Sequence, residues 1–229
     1  MKLGIMQPYF MPYIGYWQLI KAVDKFVIYD DVNFINKGWI NRNNILLNNN
    51  KFLINILLSG ASQNKLINEI EVQKNQTKLV KTIENVYKKA PMFDVVFPLF
   101  LEIMSFDDKN LANFLGNSLI KIAKHLNIKT DFIYSSDIEK DNSLRAQDKI
   151  LHICKLLGAN QYINAIGGQE LYNKENFEKV GIELIFIQPE LMPYKQFKSN
   201  FIAGLSILDV LMFNSVEDIN LMLDNYKLL

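Results

Sequence analysis

Short apolar runs alternate with amphipathic stretches along most of the chain. Leu3 to Met6 is an apolar run stopped by Gln7-Pro8, and Lys25 to Tyr29 is another stopped by Asp30-Asp31. Between them, Tyr13 to Val23 places apolar residues at helical spacing. Strand, helix, strand within about 30 residues is the size of one crossover unit. A third strand is expected at Phe52 to Leu58, after a polar tract that ends at Lys51. Residues 75–127 then read as helical throughout, with Val95 to Met104 as a buried helix. Asp107-Asp108 can cap a helix whose Leu111, Phe114, Leu115, Leu119, Ile122 and Leu126 share one face.

The alternation resumes with a strand near Asp131 to Tyr134, a helix at Ser143 to Leu157 ended by Gly158, and strands near Gln161 to Ala165 and Ile182 to Gln188. The chain closes with Leu205 to Phe213 and a terminal helix begun at Ser215. Strands recurring between helices predict an α/β fold with a mostly parallel sheet. The expected architecture is a single domain over 1–229, with a Rossmann-like nucleotide-binding start and residues 75–127 as a helical insertion or subdomain.

Of the 229 residues, 49% are hydrophobic and 21% charged, which suits a folded globular chain and excludes a disordered one. Lys+Arg 25 against Asp+Glu 24 leaves a net charge of +1, so a DNA-wide basic surface is not expected and any anion is met locally. Cys154 has no partner for an internal disulfide, and one Cys with two His gives no zinc-ligand spacing. Gln7, Pro8 and Pro12 interrupt the first apolar run, which argues against a secretory leader. No stretch approaches the roughly 18 uninterrupted apolar residues of a membrane span. A cytoplasmic protein without membrane insertion is therefore expected.

The loop Gln7-Pro8-Tyr9-Phe10-Met11-Pro12-Tyr13-Ile14-Gly15-Tyr16 lies where the first strand ends and the first helix begins, the rim at which open parallel sheets bind ligands. Gly15 in the first helical turn would admit a bulky ligand close to the backbone. The same prolines and aromatics can equally form a plug over the sheet edge. The tetrad Tyr13-Ile14-Gly15-Tyr16 resembles in spacing the His-x-Gly-His of nucleotidylyltransferases and pantothenate synthetases, but it lacks both imidazoles. Their charge on a transferring phosphate is not replaced by neutral phenols.

Asp30-Asp31, followed by Lys37, Trp39, Asn41 and Arg42, would suit a metal-phosphate clamp or a general base, or would simply end the strand. Arg42 offers a planar fork for phosphate or carboxylate, and Trp39 can stack on a base or fill a core. Farther on, Asn164, Gly167 and Gln169 form a second rim loop, with a glycine turn of positive φ as the plain alternative. Tyr194, Gln196, Ser206 and Asp209 complete the candidate contacts, although Ser206 has no nucleophile elbow. His125 and His152 read as ordinary helix histidines, and Cys154 as a buried thiol.

Several segments together resemble the WbqC-like family: Gly4 to Phe10, Pro12 to Tyr16, Val27 to Val32, Gly38 to Asn43, Leu144 to Ile150, Tyr162 to Tyr172 and Leu205 to Asn214. That family is found in bacterial polysaccharide gene clusters, and the resemblance implies acyl or aminoacyl transfer to the amine of a nucleotide-linked amino sugar. On that reading Asp31 is the base, with Tyr13 and Arg42 beside it in catalysis. Gln7, Pro8, Tyr9, Gly15, Tyr16, Lys37, Trp39, Asn41 and the later polar residues bind substrate. The donor is a small acyl or amino-acid group carried as acyl-CoA or aminoacyl-tRNA, or activated with ATP and magnesium. An ATP-dependent adenylating amide ligase and a non-catalytic sugar-nucleotide-binding protein are the alternatives.

Overall fold

Side chains that alternate across one sheet supply two separate apolar cores, and the helices divide accordingly. The computed structural model describes residues 1–197 and 200–229. Its first half runs β1 (Lys2–Met6), α1 (Ile14–Ala22), β2 (Lys25–Ile28), β3 (Arg42–Leu47), β4 (Asn50–Asn55), β5 (Leu58–Ser59), β6 (Glu71–Val72), α2 (Thr77–Tyr87), α3 (Phe93–Met104) and α4 (Leu111–His125). The second half runs β7 (Asp131–Tyr134), α5 (Ala146–Leu156), β8 (Gln161–Ala165), α6 (Lys174–Glu178), β9 (Glu183–Pro189), α7 (Ile207–Phe213), α8 (Val216–Leu223) and β10 (Tyr226–Leu228).

The central sheet has six strands in the order β10-β9-β8-β1-β2-β7, all parallel except β10. The predicted strands at Leu3, Val27, Gln161 and Ile182 therefore share one sheet, and their carboxyl ends share one rim. Leu3, Ile5, Val27, Tyr162, Leu184 and Phe186 face the core built with α5 and α6. Phe26, Ile28, Ile163 and Ile187 face the larger core with α1, α2, α3, α4, α7 and α8. Residues 75–127 hold the three helices α2, α3 and α4, interrupted over 88–92 and 105–110 rather than helical throughout, and their buried side chains join this larger core.

Several local expectations are corrected. The strand expected at Phe52 to Leu58 forms as β4 but spans Asn50–Asn55, and it pairs with β3 in a hairpin apart from the main sheet. The helix over Val95 to Met104 is amphipathic: Val96, Phe100 and Ile103 are buried while Val95 and Leu101 are exposed. Asn110 caps α4, its side chain accepting from the Ala112 and Asn113 amides, and Asp108 instead accepts from the Asn110 amide. The chain ends in a strand, because Tyr226–Leu228 finds the open edge of β9.

Gly15 serves packing rather than ligand approach. A Cβ there would sit 2.6 Å from Pro189 Cγ and 2.6 Å from the Tyr13 ring, so only glycine lets α1 lie against the end of β9. We expect Gly15→Ala to destabilise the protein by about 1–3 kcal/mol, the usual cost of overpacking, as read by denaturant unfolding. An unchanged unfolding midpoint would show that Tyr13 and Pro189 yield freely.

Candidate functional site

The rim loop after β1 is held from within. Phe10, Met11, Pro8 and Pro12 are buried, Trp17 Nε1 donates to the Pro12 carbonyl at 3.0 Å, and Ser206 Oγ donates to the Met11 carbonyl at 2.8 Å. Asn43 Nδ2 donates to the Phe10 and Met11 carbonyls. The Tyr16 hydroxyl, expected at the substrate, is buried and donates to the Gln7 carbonyl at 2.8 Å. Tyr9 packs on Tyr16, and Tyr13 is partly exposed and bridges Ser206. Most of this loop is the plug.

The open chemistry lies one strand over, after β2 and β7. Asp30 is buried and fully engaged: its oxygens accept from the Ser136 amide at 3.0 Å, the Ser136 hydroxyl at 2.6 Å and Asn68 at 3.3 Å. It thereby fixes the short 3-10 helix Ser135–Asp137 that follows β7. Asp31 turns the other way. Its Oδ2 receives two ammonium groups, Lys140 at 2.9 Å and Lys149 at 3.0 Å, whose side chains are only 2% and 8% exposed. Lys140 also donates to the Ser135 carbonyl, and Lys149 lies 5.4 Å from the centre of the Tyr29 ring.

Burial alone would raise the Asp31 carboxyl, but the Ser135 hydroxyl and the two lysines outweigh it and hold its pKa below the usual 3.8. This corrects the expectation that Asp31 is the base: a carboxylate shared by two cations and held below its ordinary pKa takes up protons poorly. Nor do Asp30 and Asp31 form the open metal-phosphate clamp that was one of the alternatives for this pair. Asp30 spends both oxygens on Ser136 and Asn68, Asp31 faces lysines, and no cluster of His, Cys, Asp or Glu fit to hold a metal occurs among the described residues.

Around Asp31 opens a cleft of about 530 Å³ walled by Tyr29, Asn33, Lys140, Asn142, Arg145 and Lys149 among others. Lys140, Lys149 and Arg145 carry three positive charges against one from Asp31, so the wall is cationic by two. Lys140 is consumed in the wall itself. Arg145 Nη1 donates to the Asn142 and Leu144 carbonyls at 2.6 and 3.0 Å, which orients the exposed guanidinium. The cleft also lies at the start of α5, whose first residue, Ala146, has φ 45, an uncommon left-handed conformation for a residue with a Cβ. A helix start beside lysine and arginine is a setting for phosphate.

The remaining expected contacts do not meet here. Lys37, Asn41 and Arg42 line a second cavity of about 310 Å³ that shares no residue with the first, and Trp39 packs beside Arg42. Asn164 is buried, its Oδ1 accepting from the Ala165 amide at 2.8 Å. Gly167 and Gly168 form no positive-φ turn; they belong to the 3-10 helix Ile166–Leu171, where a Cβ on Gly168 would come within 2.5 Å of Asn164 Nδ2. Gln169 is exposed. Tyr194, Gln196 and Tyr87 all donate to Asp209, at 2.6, 2.9 and 2.7 Å, in a buried network. Burial raises the Asp209 carboxyl despite these bonds. Ser206 caps α7. Tyr194, Gln196, Ser206 and Asp209 are framework, because their polar groups are turned to one another, to Tyr87 and to the backbone.

Sequence reasoning passed over Lys140, Arg145 and Lys149. For Arg145 and Lys149 the signal was indirect, in the segment Leu144 to Ile150 that carried part of the family resemblance, and Lys140 lies outside it. His152 accepts from the Asp141 amide at 3.2 Å, and burial pushes the Cys154 thiol up to about 12.

A model described as the WbqC-like protein family matches residues 7–221. The chain belongs to that family. A relative from Mycobacterium tuberculosis, named Uncharacterized protein Rv1507c, is 26% identical over 218 residues, covering 92% of each chain. No solved structure matches. The WbqC-like match spans every residue of the cationic cleft. No described helix is long and apolar enough to cross a membrane.

Asp31→Asn leaves two buried ammonium groups without a counter-charge, and we expect a loss of about 3–5 kcal/mol in unfolding free energy at neutral pH. Because the folded pKa is depressed, the Asp31 contribution is present above the unfolded value of 3.8 and lost as pH falls through the lower folded one. The difference between wild type and variant should therefore shrink on acidification. A constant difference between neutral pH and pH well below 3.8 would assign the stabilisation to something other than the charge.

Proposed function

We propose that the cleft beside Asp31 binds the phosphate groups of a nucleotide-linked sugar, and that the protein transfers an acyl or aminoacyl group to an amine on that sugar. The observation that carries the binding half is the convergence of Arg145 and Lys149 at the start of α5, with Asp31 as the one acidic residue in the cleft lining. A diphosphate neutralises the excess charge, and the cleft is large enough for phosphates and part of the sugar. The transfer half rests on membership of the WbqC-like family and on the polysaccharide setting that the sequence resemblance implies.

In the transfer, the amine nitrogen bonds to the acyl carbon as that carbon parts from its carrier, and the proton the amine gives up leaves on the departing oxygen or sulfur of the carrier. Asp31 does not take that proton, since the lysines hold it in its charged form. The Tyr29 phenol stays protonated as well: burial and the nearby Asp31 push its pKa up. The acceptor therefore enters as the free amine, and the chain's contribution is to anchor and orient it. Activity then rises with pH through the titration of the acceptor amine itself. The adenylating-ligase alternative gains phosphate-binding cations from the same cleft, but Tyr16 is locked on Gln7 and supplies nothing to the α-phosphate.

Arg145→Gln should weaken binding of UDP, used as the probe, by about one to two decades, the worth of one charge-assisted contact. As an exposed side chain, its loss should move stability by less than about 0.5 kcal/mol. Titration calorimetry and thermal unfolding on the same preparations read both. Unaltered UDP affinity would move the anion site elsewhere. Supplying a UDP-linked amino sugar with glycine and ATP, with and without tRNA or coenzyme A, tests the transfer. Pyrophosphate release that needs only ATP and the amino acid would favour the ligase.

A further inference from the structure

The second cavity has a chemistry of its own. Lys37, Arg42 and Asn36 line it together with Phe34, Leu53 and Leu58 among its apolar residues, and no Asp or Glu lines it. Neither Arg42 nor Lys37 forms an ion pair with a carboxylate among the described residues. Arg42 is nevertheless fixed. Its Nε donates to the Gly38 carbonyl at 2.7 Å, and its guanidinium lies 5.9 Å from the centre of the Trp39 ring. Among the described residues, the two Nη groups of the fork make no other hydrogen bond. Trp39 itself is 48% exposed, an uncommon position for an indole unless something covers it. The turn that carries these groups is bent tightly. Lys37 has φ 60, and a Cβ on Gly38 would lie 3.1 Å from the Ile35 carbonyl oxygen.

We infer that this cavity is a second, separate ligand site that takes a small organic carboxylate with a short apolar chain. The planar pair of Nη groups matches the two oxygens of a carboxylate, and Lys37 adds charge. The apolar lining accepts a few carbons, and about 310 Å³ leaves ample room for a ligand of that size. The inference does not depend on what fills the cleft beside Asp31.

The protein has two tryptophans, and Trp17 is fully buried, so a change in emission on adding a small carboxylate reports Trp39. Titration with butyrate should change that emission saturably in the millimolar range. Arg42→Gln should raise the butyrate dissociation constant by about tenfold or more, while Arg42→Lys, which keeps the charge and loses the fork, should recover only part of the affinity. Should Arg42→Gln fail to fold, Lys37→Gln carries the test, because Lys37 is exposed. Arg145→Gln should leave butyrate binding unchanged whatever it does to UDP, which separates this site from the other. The inference is overturned by the absence of a saturable change, by unaltered affinity in both the Arg42→Gln and Lys37→Gln proteins, or by inorganic phosphate binding there more tightly than butyrate.

Discussion

One carboxylate oxygen holds this rim together. Asp31 Oδ2 stands at the end of the β2 strand and takes Lys140 from the connection after β7 and Lys149 from the first turns of α5. Two buried ammonium groups so close together repel, and only the shared anion makes their burial tolerable. The consequence is geometric as well as electrostatic. The start of α5 is tied to the carboxyl edge of the sheet, Arg145 is presented over the cleft, and a positive excess is left facing outward. Asp30, adjacent in sequence, works on the other side of the same corner by pinning Ser136 and Asn68. Neighbouring carboxylates thus have different duties: the chain turns just after β2, where the Asp30 amide donates to the Ile28 carbonyl, and Asp30 reaches Ser136 and Asn68 while Asp31 meets the two lysines.

The polar atoms elsewhere are largely committed to the framework. The loop after β1 gives its carbonyls to Asn43, Trp17, Ser206 and Tyr16, and Asp209 collects Tyr87, Tyr194 and Gln196. Buried polar groups satisfied in this way specify a single arrangement of the loops over the larger core. They also leave little capacity for a ligand. Two places that retain it are the cleft beside Asp31 and the cavity under Arg42.

Much of the fold was legible in the sequence because central parallel strands buried on both faces read as short apolar runs, as β1 does, and the half-buried edge strand β7 and the strand β8 also fall where they were expected. The β3–β4 hairpin was not legible as such: Arg42 to Asn44 is polar, and pairing within a hairpin is decided by its partner strand rather than by an apolar signature. β10 was hidden because three residues after a helix carry no periodicity. The site was legible only at Asp31. Lys140 lies in the charged run Glu139-Lys140-Asp141, which reads as a solvated surface, and Lys149 occupies a helix position that periodicity cannot distinguish from a surface one. Their burial follows from meeting Asp31, a contact across 109 and 118 residues respectively that no local pattern records. Conversely, Tyr16, Asn164 and Asp209 have the residue types of a site and are spent on structure.

The account stands on the cleft recognising phosphate by charge. Titration of UDP and of uridine into the wild-type protein, at low and at raised ionic strength, measures this directly. The account predicts that UDP binds, that uridine binds far more weakly, and that UDP affinity falls as salt rises, because the contacts that distinguish the two ligands are ionic. Equal binding of the two, insensitive to salt, would contradict it.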